Sequence, residues 1–239
     1  MGVVLVGGGP DTTRSATCVE PFIEECRRRS ASRVGLLLAG DRTSADHFAA
    51  AYLALLGELA GTVEVVPLDD GVGDVTRFDA VVVGGGPTPE YHDRLAAALR
   101  AIGEMVAGGA PYLGFSAGAM IAAETAVIGG HLSAGVEVCP AEWSEGLAEV
   151  TLRPGIGIVT WAVEVHAAQA GTLGRAIDAV ASGAVGSAVA LDEDTALHVD
   201  AAGVPRVLGS GRAWWVTRDD DGAGGGADGG VRVRPTSPS

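Results

Sequence analysis

Ser116 stands between two glycines, two residues before it and two after it, in Gly114-Phe115-Ser116-Ala117-Gly118. The residues leading in are apolar, and those that follow are small and compatible with a helix. A strand that reverses into a helix at one residue crowds the positions at i−2 and i+2, so neither can carry a side chain. The same turn holds its apex residue in a strained backbone conformation with the hydroxyl exposed. Such a serine can attack a carbonyl carbon. The Ala117 amide and the positive end of the following helix then face the developing oxyanion. The plainer alternative is a small-residue turn with an idle serine; the apolar run before it and the small run after it favour the nucleophile.

A serine nucleophile needs a base, and the chain has five histidines. His47 and His92 lie on amphipathic helical stretches and His198 in a strand, where solvation or packing accounts for them. His131 follows a Gly-Gly turn. His166 closes the strand Glu164-Val165-His166 just before a segment that turns into a helix. Sites in α/β sheets are built at the carboxyl ends of strands, so position selects His166 as the base. A second oxyanion donor can come from Gly84-Gly85-Gly86-Pro87. Proline has no N–H, which leaves Gly85 or Gly86, unless the turn is merely tight.

The elements that must hold these residues follow from the hydrophobic pattern. The chain has 239 residues, 47% of them hydrophobic, enough for one large α/β core. Short apolar strands at 3–6, 33–38, 62–68, 78–83 and 111–114 alternate with helical stretches at 16–29, 41–60 and 89–107. That alternation predicts a doubly wound, mostly parallel, flavodoxin-like sheet. Residues 125–165 read as hairpins and loops, 172–182 as a helix, and 186–191, 195–199, 207–208 and 214–217 as a C-terminal antiparallel extension. Residues 1–217 form a single domain in this reading, and the Gly/Asp-rich stretch 218–239 a disordered tail.

Several functions are excluded. Gly7-Gly8-Gly9-Pro10 after the first strand is not a dinucleotide fingerprint. Thr12 stands where the third glycine belongs, and no acidic residue closes the next strand. No cofactor is predicted, and no His/Cys/Asp/Glu cluster has metal-ligand spacing. The net charge of −14 argues against nucleic acid and anionic membranes as partners; it could favour a cationic substrate, although solubility is its commoner use. Cys18, Cys26 and Cys139 form no paired motif, which fits a reducing compartment. Without a signal-peptide pattern or an apolar run of ~18–20 residues, the expectation is a soluble cytoplasmic protein.

Taken together, Gly114-Phe115-Ser116-Ala117-Gly118-Ala119, the upstream Gly-Gly turn with its helix, Glu164-Val165-His166 and Leu191-Asp192-Glu193-Asp194-Thr195-Ala196-Leu197 resemble the cyanophycinase and aspartyl dipeptidase (peptidase E) family of serine peptidases. The resemblance runs through most of residues 1–217 in the family's order and implies a class I glutamine amidotransferase-like fold. It further implies Ser116 as nucleophile, His166 as general base, and Gly86 with Ala117 as oxyanion donors. The family's acid lies between serine and histidine, where the ungapped position offers His131. Glu137 is the carboxylate preferred here, with Glu124 as an alternative and Glu193 read as a nearby structural group. Ala170 and Thr172 replace two arginines that suit acidic substrate side chains by bidentate pairing, so only Arg175, with Glu164, remains at the expected substrate site. The reading is a serine hydrolase that cleaves a small peptide or peptide-like amide, with Asp or isoaspartyl character as the family's preference implies, and that leaves room for a homodimer. The competing class is a catalytically impaired relative serving as a binding module. An α/β-hydrolase esterase shares the turn but wants a late histidine, and His198 in its strand fits that poorly.

Overall fold

Alternating short strands and helices set the architecture of the computed structural model, which describes residues 2–9, 15–219 and 230–238. The first half of the chain runs β1 (Val3–Val6), α1 (Ala16–Arg28), β2 (Val34–Leu38), α2 (Arg42–Leu56), β3 (Val63–Pro67), β4 (Ala80–Val83), α3 (Thr88–Leu95), α4 (Leu99–Ala107), β5 (Tyr112–Phe115) and a one-turn α5 (Ala117–Met120). The five strands pair in parallel in the order β3-β2-β4-β5-β1. All but the edge strand β3 are buried along their whole length. Alternation along each strand divides the core between two faces. Val4, Val6, Leu36, Leu38 and Val82 meet Phe22 of α1 and Tyr52 and Leu55 of α2. Val3, Leu5, Leu37, Val81 and Val83 meet Tyr91, Leu95 and Ile102 of α3 and α4. Helices on both faces explain why the strands are apolar throughout.

The helical stretch expected over 89–107 is two helices, broken at residues 96–98, where an unbroken run of alanines gives no signal. Past α5 come short strands: β6 (Thr125–Gly129), β7 (Leu132–Ser133), β8 (Val136–Glu137), β9 (Thr151–Pro154) and β10 (Ala162–Glu164). They are followed by α6 (Leu173–Ala181), β11 (Ser187–Leu191), β12 (Thr195–Val199), β13 (Pro205–Gly209), β14 (Ala213–Arg218) and β15 (Val231–Thr236).

The C-terminal strands divide between two sheets. β12 pairs antiparallel with β1 and carries β13, extending the central sheet to seven strands. β10, β11, β14 and β15 form a second sheet, in which β10 and β11 are parallel. β15 corrects the expectation of a disordered tail over 218–239. Val231 and Val233 alternate with Arg232 and Arg234, and this period of two lets the strand add to the edge of β14 and set its valines against the core. Residues 220–229 and 239 of that expected tail lie outside the described residues. Among the described residues, no helix is long and apolar enough to cross a membrane.

Candidate active site

The chain turns sharply from β5 into α5 at Ser116, whose φ of 51° is a left-handed value that non-glycine residues rarely adopt. The two flanking glycines are required by close backbone approach. A β-carbon on Gly114 would overlap the Gly118 carbonyl oxygen, and one on Gly118 would overlap that of Val83. The Ser116 amide donates to Val6 O at 2.9 Å and the Gly118 amide to Gly84 O at 3.2 Å, which ties the turn to the ends of β1 and β4. Because α5 is a single turn, it offers an orphan amide with little of the helix dipole expected from the sequence.

The Ser116 hydroxyl lies 3.0 Å from His166 Nε2. His166 follows β10 with φ 57°, and its amide donates to Gly7 O at 3.1 Å. The Gly7-Gly8-Gly9 turn therefore does more than close β1: it seats the imidazole, and a β-carbon on Gly8 would overlap the ring. Trp143 covers the ring at 5.0 Å between centroids, tilted by 35°. The other ring nitrogen, Nδ1, is 2.8 Å from Glu193 Oε1, and both side chains are largely buried.

Glu193, on the turn between β11 and β12, thus occupies the place expected for Glu137. Glu137 is exposed in β8, paired with Leu132 across a short hairpin. Glu124 is also exposed, and His131 Nδ1 lies 3.3 Å from Leu147 O. The carboxylates beside Glu193 are occupied. Asp192 accepts from the Ala168 and Arg212 amides and from Trp214 Nε1, and Asp194 from Ser15 Oγ.

The sequence left Gly85 and Gly86 open as the second oxyanion donor. The Gly85 amide donates to the Tyr52 hydroxyl at 2.8 Å, and its carbonyl accepts from Tyr91 at 3.1 Å. Burial holds both phenols protonated, pushing Tyr52 up to about 12 and Tyr91 further. The amides of Gly86 and Ala117 have no partner among the described residues, and Gly86 takes a φ of 153°. The three thiols are buried, and desolvation pushes Cys18 up to about 11 and Cys26 to about 12, leaving neither as a competing nucleophile.

This geometry has relatives. Residues 3–206 match peptidase family S51. The chain belongs to that family. Among solved structures, this S51 peptidase is similar to a peptidase from an acI-B1 actinobacterium, with TM-score 0.68 and 15% identity over 99% of this chain and 94% of the other. It is also similar to a candidate peptidase E of Listeria monocytogenes EGD-e, with TM-score 0.56 and 15% identity over 87% of this chain and 98% of the other. At that identity the likeness is one of fold. No curated protein matches it in sequence.

The cavity over Ser116 in this S51 peptidase has a volume of about 540 Å³. Its walls include Phe48, Tyr52, Phe115, Trp143, Glu142 and Glu145 beside Gly86, Ser116 and His166. Glu164 and Arg175, expected to touch substrate, are instead buried behind the site. Arg175 Nε and Nη2 donate to the two Glu164 oxygens at 2.6 and 2.9 Å, while Nη1 donates to the carbonyls of Gly130 and Trp143. Burial opposes the guanidinium charge, but Glu164 outweighs it and raises the Arg175 pKa. The pair spans the segment before His166 and the loop that carries Trp143. It braces the site without reaching the cavity.

Proposed function

We propose that Ser116, His166 and Glu193 act as the catalytic triad of a serine peptidase that cleaves small peptides or peptide-like amides through an acyl-enzyme. The observation that carries this reading is the unbroken relay from Ser116 Oγ through both imidazole nitrogens to a carboxylate, at 3.0 and 2.8 Å. His166 Nε2 accepts the hydroxyl proton as Ser116 adds to the scissile carbonyl, then returns it to the leaving amine. Water deacylates the enzyme by the same route. Glu193 accepts from Nδ1–H, fixes the tautomer and stabilises the imidazolium. The Gly86 and Ala117 amides hold the oxyanion, a role supported by their lack of any other acceptor among the described residues.

The competing reading is a binding module with a broken triad, favoured by His131 in the acid's place and by the two missing arginines. The contact from Glu193 to His166 weighs against it. An acidic substrate loses ground because Arg175 is committed to Glu164. In an assay of amide hydrolysis, Glu193→Gln is expected to lower kcat/KM by about 10⁴-fold, as loss of a triad acid does elsewhere. Glu137→Gln is expected to stay near wild type. The opposite ranking would sink the assignment.

A further inference from the structure

The cavity walls carry two carboxylates among aromatic rings. Glu145 is half-buried at its mouth with φ 57°, its carboxylate accepting from the Thr88 amide at 3.2 Å and hydroxyl at 3.3 Å. Glu142 stands nearby on the same short turn as Trp143, Ala141–Trp143. Trp143 is 40% exposed and Phe48 58% exposed, an unusual degree for large apolar rings that face a cavity. Tyr52 and Phe115 meet edge to face at 5.6 Å and complete the wall. No arginine or lysine lines the cavity among the described residues.

We propose that this cavity selects substrates by a cationic nitrogen, either a free amino terminus or a basic side chain, with Glu145 as the residue that sets the preference. The inference rests on the serine peptidase reading and adds to it the class of substrate. Rings at the edge of a partly desolvated cavity attract a cation through their π faces, and a carboxylate among them supplies the opposite charge. Burial pushes the Glu145 carboxyl above the usual glutamate range, against the Thr88 hydrogen bonds and the charge of Arg175, so a bound cation relieves a cost that the free enzyme carries. The net charge of −14 draws such substrates in from a distance. A purely structural Glu145 would do no more than tether the start of α3.

Protection of Ser116 from a fluorophosphonate reports cavity occupancy without a known substrate. Glycyl-arginine against glycyl-citrulline, and glycyl-lysine against glycyl-norleucine, isolate the side-chain charge; N-acetylated partners isolate the amino terminus. One cationic arm or both should protect wild type at roughly tenfold lower concentration than the neutral partner, and the arm that does so identifies the nitrogen recognised. In Glu145→Gln, scored against its own unprotected labelling, that preference should vanish; in Glu142→Gln, whose carboxylate is exposed and screened, it should only shrink. Equal protection by charged and neutral partners in wild type would overturn the inference, as would a preference that survives Glu145→Gln. The wild-type contrast needs no variant, so misfolding cannot rescue the idea. A wild type that takes no label contradicts the nucleophile reading and this inference with it, whereas labelling without charge preference contradicts this inference alone.

Discussion

A side chain at position 8 has nowhere to go. Gly8 holds φ 89°, and a β-carbon there would overlap the imidazole of His166. Gly8→Ala should therefore cost ~1–2 kcal/mol of backbone strain and push the ring off its hydroxyl partner. A shift of about 1 Å in a reacting group typically costs about 10²-fold in rate. Hydrolysis should fall by at least that much while the far-ultraviolet circular dichroism holds; a Gly8→Ala enzyme of wild-type activity would refute the role given to the turn. At this scale the sequence was informative where backbone crowding leaves a mark. Gly114 and Gly118 are glycines because carbonyl oxygens approach them, so the turn at Ser116 could be read directly. Glu193 left no such mark. It is one of three consecutive carboxylates, and spacing alone cannot say which of Asp192, Glu193 and Asp194 points at a histidine 27 residues earlier in the chain. The signal that could have found it was the position of Asp-Glu-Asp at the end of a buried strand. Arg175 misled for a related reason: a lone arginine in a region that resembles a substrate site gives no hint that Glu164 already holds it.

At the scale of elements, the Glu164–Arg175 pair joins the end of β10 to α6 and, through the carbonyls of Gly130 and Trp143, to the loop over the cavity. Removing one partner leaves an unpaired charge in the interior. Arg175→Met should cost ~3–5 kcal/mol of unfolding free energy, and Glu164→Leu/Arg175→Met should recover part of it. Urea denaturation of the two variants beside wild type would measure both values. A single variant that loses nothing would mean the pair does not brace the site. The strands of the central sheet were legible because burial on both faces demands unbroken apolar runs. β15 was not, because a strand at a sheet edge with one polar face resembles the charged, glycine-rich sequence around it. The assignment of β11 and β14 to a second sheet likewise depends on partners distant in sequence.

At the scale of the whole molecule, five strand ends converge on one place. β1 delivers the glycine seat, β4 the Gly86 amide, β5 Ser116, β10 His166 and β11 Glu193. The ends of β1, β4 and β5 come from the central sheet and those of β10 and β11 from the second sheet, so the two sheets together bring residues distant in sequence into a single relay. Membership of peptidase family S51 over residues 3–206 agrees with that convergence. The central claim is that Ser116 is an activated nucleophile, and intact-mass labelling with a fluorophosphonate tests it most directly. Wild type should take up one equivalent, Ser116→Ala none, and His166→Ala little. A folded wild type that stays unlabelled, or a Ser116→Ala variant that labels as wild type does, would contradict the account.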